Sequence, residues 1–202
     1  MIKNIILDIG DVLAMSNYHE FFRNKGYDDE TVMRLEKATF FSSVWKELDR
    51  GVWDFSRIID GFVKNAPELE EQLRTVFNDM SGFVKAFPYA VEWVRSLKES
   101  GSKVFCLSNI SGKICDDCAD ELEFLKYIDG KILSYEEKLI KPDPKIYSRL
   151  LEKYDLYADE CIFIDDISQN VAAAQELGIH GIVFCDKTQA ENEIENIRRS
   201  QI

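Results

Sequence analysis

Histidine is scarce in this chain: His19 and His180 are the only two among 202 residues. Basic residues are also in the minority, with 25 lysines and arginines against 37 aspartates and glutamates, which gives a net charge of −12. Nucleic acid and anionic membranes repel such a chain, so we expect neither as a partner. No apolar run approaches the length of a membrane-spanning helix. An anionic small substrate stays possible, because the local field of a site can oppose the global charge.

Cysteine occurs in an odd number, five, without the spacing of a disulfide scaffold. This favours reduced thiols and a cytoplasmic location, and the N-terminal residues lack a signal-peptide pattern. Cys115-Asp116-Asp117-Cys118 has C-x-x-C spacing, but the two carboxylates between the thiols disfavour a redox nucleophile. A zinc site would need further cysteine or histidine ligands nearby. We therefore expect these two cysteines to lie on a helix face.

After residue 83 the chain alternates between strand-like and helix-like segments. Such alternation predicts parallel strands joined by right-handed crossovers, and hence an α/β fold with a doubly wound parallel sheet. The predicted strands are Ile5–Leu7, Lys103–Leu107, Gly130–Leu133, Cys161–Ile164 and Gly181–Phe184, and the predicted helices are Tyr89–Ser100, 113–126, Pro144–Tyr154 and Ser168–Leu177.

Residues 15–82 show amphipathic helical patterns rich in Phe and Trp, such as Tyr27–Phe40 and Phe55–Lys64, and no convincing strand. They interrupt the α/β alternation between its first and second strands. We interpret them as a helical cap domain that overhangs the active site, with a core domain formed by residues 1–14 and 83–202. The last sixteen residues, 187–202, are predicted to be helical and polar, and either pack on the core or fray.

Carboxylates follow two of the predicted strands. Asp165 and Asp166 end one apolar run, and Asp8 ends the run at the N-terminus. Adjacent carboxylates repel each other and are costly to bury, and a divalent cation with hard oxygen ligands removes both problems. Because the carboxyl ends of parallel strands share one edge of the sheet, the sequence predicts a Mg²⁺ site there.

Four motifs now stand in order along the chain: Asp8-Ile9-Gly10-Asp11-Val12, Leu107-Ser108-Asn109, Lys141-Pro142-Asp143-Pro144, and Asp165-Asp166 with Asn170. In their order and character, and in the helical insert after the first motif, they resemble the haloacid dehalogenase (HAD) superfamily over nearly the whole chain. The resemblance implies a Rossmann-like core and an aspartate nucleophile.

The resemblance assigns a role to each motif. Asp8 would attack phosphorus and form an aspartyl-phosphate that water hydrolyses. Mg²⁺ would be bound by Asp8, the carbonyl of Gly10 and Asp166, with Asp165 assisting directly or through water. Ser108, the N–H of Asn109 and Lys141 would bind the phosphoryl group. Asn170 would orient Lys141 or a metal-bound water.

Each motif taken alone has a plainer explanation. Ser108-Asn109 could cap the following helix, and Lys141 could be a solvated loop charge. Asp8 could begin a turn, and Asp166 could cap the helix that starts near Ser168. The combination of four motifs in order favours the enzyme.

The first motif departs from most phosphatases of this superfamily, which carry a second aspartate two residues after the nucleophile. Here that position is Gly10, which cannot transfer a proton. Asp11 lies one residue further on, and could replace that aspartate only if the turn is irregular. One branch, which includes sugar-1-phosphate phosphatases, reads Asp-x-Gly-Asn-Val, and the stretch Leu48–Val52 is similar to a helix-then-glycine element of its cap. This favours a phosphatase of a small phosphorylated metabolite, such as a sugar phosphate.

Two other functions stay open. A haloacid dehalogenase uses the same nucleophile without a metal, but the pair Asp165-Asp166 disfavours it. A non-catalytic protein that binds a phosphorylated ligand or a partner is the other alternative, and Gly10 is its main support.

The sequence is least explicit about substrate selection and oligomeric state. Side chains of the cap that could contact substrate are Tyr18, Arg23, Trp45, Lys46, Arg50, Trp53 and Arg57, although packing or solvation is the favoured explanation for each of them. The resemblance also implies that the cap opens and closes, with hinges near Ala14–Asn17 and Ser81–Phe87.

Overall fold

The computed structural model describes residues 1–201. Its strands are β1 (Asn4–Leu7), β2 (Ala14–Ser16), β3 (Val84–Ala86), β4 (Lys103–Ser108), β5 (Gly130–Leu133), β6 (Cys161–Asp165) and β7 (His180–Val183). Its α-helices are α1 (Tyr18–Asn24), α2 (Asp29–Ala38), α3 (Ser43–Arg50), α4 (Phe55–Asn65), α5 (Glu70–Val76), α6 (Ala90–Glu99), α7 (Gly112–Asp117), α8 (Ser134–Glu137), α9 (Pro144–Tyr154), α10 (Ser168–Glu176) and α11 (Lys187–Ser200).

Five strands form one parallel sheet in the order β5-β4-β1-β6-β7. Strand β1 lies at its centre, where Ile6 pairs with Phe105 on one side and Phe163 on the other. The central strands are buried on both faces, which explains why they read as continuous apolar runs. The prediction of an α/β fold with a doubly wound parallel sheet is confirmed.

Helices cover both faces of this sheet. Helices α6 and α11 pack on one face, through Trp93 and Ile194 among others, and α9 and α10 pack on the other face, through Tyr147 and Ala174. The C-terminal segment therefore packs on the core, with Ala190 and Ile194 buried, except for Ile202, which lies outside the described residues. Nowhere in residues 1–201 is there a helix long and apolar enough to cross a membrane.

Helices α1 to α5, together with a short 3₁₀ turn, form an insert between β2 and β3. The sequence predicted no convincing strand in residues 15–82, which is wrong for Met15 and Ser16 because they belong to β2. The segments predicted as hinges, Ala14–Asn17 and Ser81–Phe87, contain β2 and β3. Strands β2 and β3 pair antiparallel, with Ala14 opposite Ala86 and Ser16 opposite Val84. Three residues are too few for an alternation of apolar and polar side chains to be recognised.

The helix predicted over residues 113–126 is broken. Helix α7 ends at Asp117, and a 3₁₀ segment with non-helical dihedral angles at Leu122 follows. Carboxylates of this region accept backbone hydrogen bonds from the end of the insert: Asp117 from the N–H of Met80, and Glu121 from that of Ala86. These tertiary contacts explain why one continuous helix does not form.

Cys115 and Cys118 lie on and just after α7, and all five cysteines are free thiols. Burial raises the pKa of Cys115 to about 12 and also raises that of Cys118. Both thiols are therefore protonated at neutral pH and poorly suited to redox chemistry.

Candidate active site

The carboxyl edge of the sheet brings three of the four motifs together. Asp8 directly follows β1, Ser108 ends β4 and Asp165 ends β6, and these strands are neighbours in the sheet. All three side chains are buried. Lys141, from the third motif along the chain, reaches the same point from the loop before α9. All four motifs therefore meet at this edge.

Lys141 is the centre of this cluster. Its ammonium lies 2.8 Å from Asp8 Oδ1 and 2.6 Å from Asp165 Oδ2, and it donates to the carbonyl of Leu107 at 3.0 Å. With 3% of its surface exposed, it is not a solvated loop charge. Burial by itself lowers the pKa of Lys141, but the charges of Asp8 and Asp165 outweigh burial and raise the pKa. The ammonium is therefore permanently charged, with all three of its N–H groups engaged.

Asn109 fixes the backbone of Lys141. Its side-chain amide accepts from the N–H of Lys141 at 2.8 Å and donates to the carbonyl of Lys141 at 3.0 Å. The helix-cap explanation of Ser108-Asn109 does not hold, because the residue that caps α7 is Ser111, whose hydroxyl accepts from the N–H of Ile114.

Asp165 forms an ion pair with Lys141, and Asn170 in turn holds Asp165 by hydrogen bonds. Asn170 donates to both carboxylate oxygens of Asp165, at 3.0 and 3.1 Å, and the N–H of Ile167 donates to Oδ1 at 2.8 Å. The carbonyl of Asn170 in turn accepts from the hydroxyl of Tyr147. Within the described residues, the side chain of Asn170 therefore hydrogen-bonds Asp165 and not Lys141. Both oxygens of Asp165 are occupied by protein donors.

Asp166 is the carboxylate of this cluster that forms no ion pair with residues 1–201. It does not cap α10, which begins after Ile167 without a side-chain cap. Carboxylate oxygens of Asp8, Asp165 and Asp166 lie within 4.8 Å of one another. Burial, then the charges of Asp165 and Asp11, raise the pKa of Asp166 to about 6. A cation beside it would relieve this repulsion.

The turn after Asp8 contains Gly10 and Asp11. Asp11 has a positive φ of 52°, so the turn is irregular, and its carboxylate accepts from the N–H of Ser16 at 3.4 Å. Asp11 is exposed and lies on the side of Asp166. A Cβ built on Gly10 would meet only Ser16 Oγ, at 3.9 Å. Sterics therefore do not require glycine at this position.

Two connected cavities open from this edge towards the insert. The larger one, of about 490 Å³, contains the acidic cluster and Lys141, and Lys46 lies at its wall. The smaller one, of about 160 Å³, is mostly apolar. Its aromatic wall is formed by Tyr18, Phe40, Phe41, Trp45 and Phe83, which pack ring against ring, with centroids 4.5 Å apart for Phe40 and Trp45.

Of the insert side chains singled out from the sequence, Tyr18, Trp45 and Lys46 line these cavities. Trp53 and Arg57 do not. The guanidinium of Arg57 stacks on Trp53 at 4.0 Å in a separate cleft. Arg23 pairs with Asp29 on the surface, and Arg50 with Glu47 within α3.

Sequence reasoning missed three residues that line both cavities: Phe40, Phe41 and Asp49. Asp49 lies in the quoted stretch Leu48–Val52, but nothing in its sequence context distinguishes it from a surface carboxylate. Burial, then the charge of Asp8, raises the pKa of Asp49 to about 7, and Lys141 partly opposes this.

Comparisons with known proteins agree with this arrangement. The chain is 25% identical over 184 residues to the sesquiterpene phosphatase astK of Aspergillus oryzae, covering 91% of this chain and 90% of that protein. It is 23% identical to (S)-2-haloacid dehalogenase 4A of Burkholderia cepacia, over 56% of this chain and 48% of that protein. Three further relatives are larger proteins, of which the chain spans between 13% and 37%.

Among solved structures, the fold is similar to that of a HAD family enzyme of Bacteroides thetaiotaomicron crystallised with magnesium and inorganic phosphate. The TM-score is 0.70, with 24% identity over 94% of this chain and 99% of that one. The model of the haloacid dehalogenase-like hydrolases matches residues 2–178. The chain therefore belongs to the haloacid dehalogenase-like hydrolase family.

Proposed function

We propose that the chain is a Mg²⁺-dependent phosphatase that hydrolyses a small phosphomonoester through an aspartyl-phosphate on Asp8. The observation that carries the proposal is the buried ion network of Asp8, Lys141 and Asp165, with the unpaired carboxylate of Asp166 beside it. A buried cluster of three carboxylates and one ammonium carries excess negative charge. A phosphate dianion enters such a site only if more positive charge is added.

The residues present fit a magnesium ion. Asp8 and Asp166 offer carboxylate oxygens, and the carbonyl of Gly10 accepts no hydrogen bond in the part of the chain that the structure describes. When bound, Mg²⁺ would offset the repulsion between the nucleophile and the substrate phosphate. Asp165, whose oxygens are filled by Lys141, Asn170 and Ile167, would act through water.

The remaining steps fall to side chains of this chain. Lys141 would hold the carboxylate of Asp8 in line with phosphorus and neutralise charge on the phosphoryl oxygens. Ser108, which is buried beside Asp8, would bind a phosphoryl oxygen together with the N–H of Asn109. The insert would act as a cap that excludes water and carries the substrate-selecting surface.

The aromatic cavity favours a substrate whose organic part is apolar. No lysine or arginine lies in its lining within the described chain, so a second phosphate would find no partner there. The name of the sesquiterpene phosphatase points in the same direction. Sugar phosphates are a second candidate class, because Tyr18 and Trp45 offer flat faces on which a sugar ring can stack.

The test is phosphate release from a panel of prenyl, alkyl, aryl and sugar monophosphates, with Mg²⁺ or with EDTA. Asp8→Asn should abolish turnover, by about 10⁴-fold or more, because amide nitrogen and oxygen cannot form the covalent intermediate. Asp60→Asn, on the exposed side of α4, is the matched control. Metal-independent turnover, or full activity of Asp8→Asn, would refute the proposal, and halide release from 2-haloacids would then test the dehalogenase alternative.

A further inference from the structure

The proposed phosphatase lacks an evident proton donor. When a phosphoryl group moves to Asp8, the departing alcohol oxygen needs a proton, and positioned acid catalysis of this kind is worth about 10²–10⁴-fold. Gly10 cannot provide it. Lys141 is held permanently charged by two carboxylates, and all of its N–H groups are engaged. The donor must be sought among the other groups that line the cavities.

Asp49 is a carboxyl group in the right place. It lies near the C-terminal end of α3 and lines both cavities, together with Gly10 and Asn109. It therefore stands where the phosphate-binding edge meets the apolar cavity, which is where the bond between phosphorus and the alcohol would lie. Its carboxylate makes neither an ion pair nor a hydrogen bond with any residue between 1 and 201, so it is available to substrate.

The core holds this end of α3 in position. The hydroxyl of Ser134, a buried residue of α8, donates to the carbonyl of Asp49 at 2.6 Å. Lys138 donates to the carbonyl of Gly51 at 2.6 Å. Gly51 ends α3 with a φ of 67°, and a Cβ there would lie 2.9 Å from the carbonyl oxygen of Tyr135. Three contacts thus anchor Asp49 to the core.

Ser134 also links Asp49 to the phosphate-binding loop. Its hydroxyl accepts from the N–H of Ile110, immediately after Ser108-Asn109, at 2.9 Å. The hydroxyl oxygen of Ser134 therefore forms one hydrogen bond with the backbone of Asp49 and another with the loop after β4. The carboxyl is placed relative to the phosphate site by direct contact, although it belongs to the insert.

We propose that Asp49 is the catalytic acid and base that Gly10 cannot be, delivered to the site by the docking of α3 on α8. This inference rests on the proposed phosphatase function. As the bond between phosphorus and the alcohol oxygen breaks, Asp49 gives its proton to that oxygen and the alcohol leaves. The carboxylate of Asp49 then takes a proton from the water that attacks the aspartyl-phosphate. Phosphate and Asp8 are released, and Asp49 is protonated again.

The environment of Asp49 suits this cycle. Burial, and then the negative charge of Asp8, raise its pKa to about 7, so a substantial fraction is protonated near neutral pH. Because the acid form is needed to expel a poor leaving group, the rate should fall as the pH rises above about 7. Efficient acid–base catalysis requires a pKa near the working pH.

Asp11 is the competing carboxyl group, and its contacts point elsewhere. Its side chain is exposed and accepts from the N–H of Ser16, and its charge contributes, after burial and the charge of Asp165, to the raised pKa of Asp166. Asp11 lines the larger cavity but is absent from the lining of the apolar one. It therefore lies on the metal side of the cluster, away from the predicted position of the alcohol.

The experiment compares two probes that differ in leaving group, hexyl phosphate and p-nitrophenyl phosphate, at saturating Mg²⁺. A nitrophenolate leaves without a proton, whereas a hexyl alkoxide does not. Asp49→Asn should therefore lower the rate on hexyl phosphate by about 10²–10⁴-fold. With p-nitrophenyl phosphate it should keep a stoichiometric burst of nitrophenol and lose mainly the later, water-dependent phase. The wild-type rate on hexyl phosphate should fall as the pH becomes alkaline, and this fall should be absent in Asp49→Asn.

Rescue provides a second readout that a merely structural role would not give. Since a Cβ at Gly10 has room, adding Gly10→Asp to Asp49→Asn should restore much of the rate on hexyl phosphate. Loss of the nitrophenol burst to the same extent as the rate on hexyl phosphate, no loss on either probe, or a leaving-group effect confined to Asp11→Asn would each overturn the role of Asp49. If wild type and Asp60→Asn hydrolyse neither probe nor any ester of the panel, the phosphatase proposal itself fails.

Discussion

The two walls of the active-site cleft differ in how their side chains are held. The core wall, formed by Asp8, Lys141 and Asp165, is buried and ionic, and nearly every polar atom has a protein partner. The insert wall, formed by Phe40, Phe41, Trp45 and Asp49, is largely apolar, and its one carboxyl group has no protein partner in the described chain. The core wall can therefore carry the chemistry that members of a family share. The second wall is free to vary with the substrate.

We expect the side chains of the core wall to contribute cooperatively to both stability and turnover. Lys141→Ala leaves Asp8 and Asp165 buried without their cation, which typically costs about 3–5 kcal/mol, or about 10 °C in melting temperature for a chain of this size. Turnover should be lost as well. Thermal denaturation and phosphate release measure both effects.

Two variants sharpen this prediction. Lys145→Ala, on the exposed face of the same helix start, should change neither quantity by much. Adding Asp165→Asn to Lys141→Ala should recover part of the stability, because one of the two unpaired charges is removed. Independent, additive losses in the double variant would show that the network does not act as a unit.

Asp166, which lies beside the core wall, should make the stability of the protein depend on metal and pH. Its folded pKa of about 6 lies above the ordinary aspartate pKa of 3.8. In EDTA, the stability from this group is therefore fully present below about pH 4 and is lost as the pH rises through about 6. Mg²⁺ should raise the melting temperature of the wild type at pH 8.

Asp166→Asn should remove both effects: in EDTA at pH 8 it should melt above the wild type, and Mg²⁺ should stabilise it less. Asp116→Asn, an exposed carboxylate on α7, changes the net charge equally and is the control. A variant that melts below the wild type in EDTA would contradict the assignment of Asp166 as an unpaired, strained carboxylate.

The insert wall should affect substrate selection without affecting stability. Phe41 is 70% exposed yet lines both cavities, so Phe41→Ala should leave the melting temperature unchanged. It should raise KM for esters with apolar groups by about 10-fold, the value of one partly buried aromatic contact. Met33→Ala, at a similarly exposed position of α2, is the control. Inhibition by inorganic phosphate should be unaffected, because phosphate would bind at the core wall.

What the sequence predicted and what it missed also divide between the core wall and the rest of the molecule. The four motifs identified the residues of the core wall, because chemistry restricts residue type and parallel strands bring their ends to one edge. Helix α9 and strand β5 have the predicted bounds. The ribbon of β2 and β3 and the break after α7 were not predicted, because they depend on contacts between segments that are distant in sequence.

The sequence by itself determined the sheet, the position of Asp8 at its carboxyl edge and the family, since apolar periodicity and motif order are local properties. Tertiary structure alone decided which carboxylate holds Lys141, which one stays unpaired in the described residues, and that Asp49 lines the same cavities as Gly10. Asp165 and Asp166 are adjacent and chemically identical, so only burial and the positions of Asn170 and Lys141 distinguish them. Likewise, a carboxyl group in an insert helix reaches the site only because Ser134 and Gly51 dock that helix on the core.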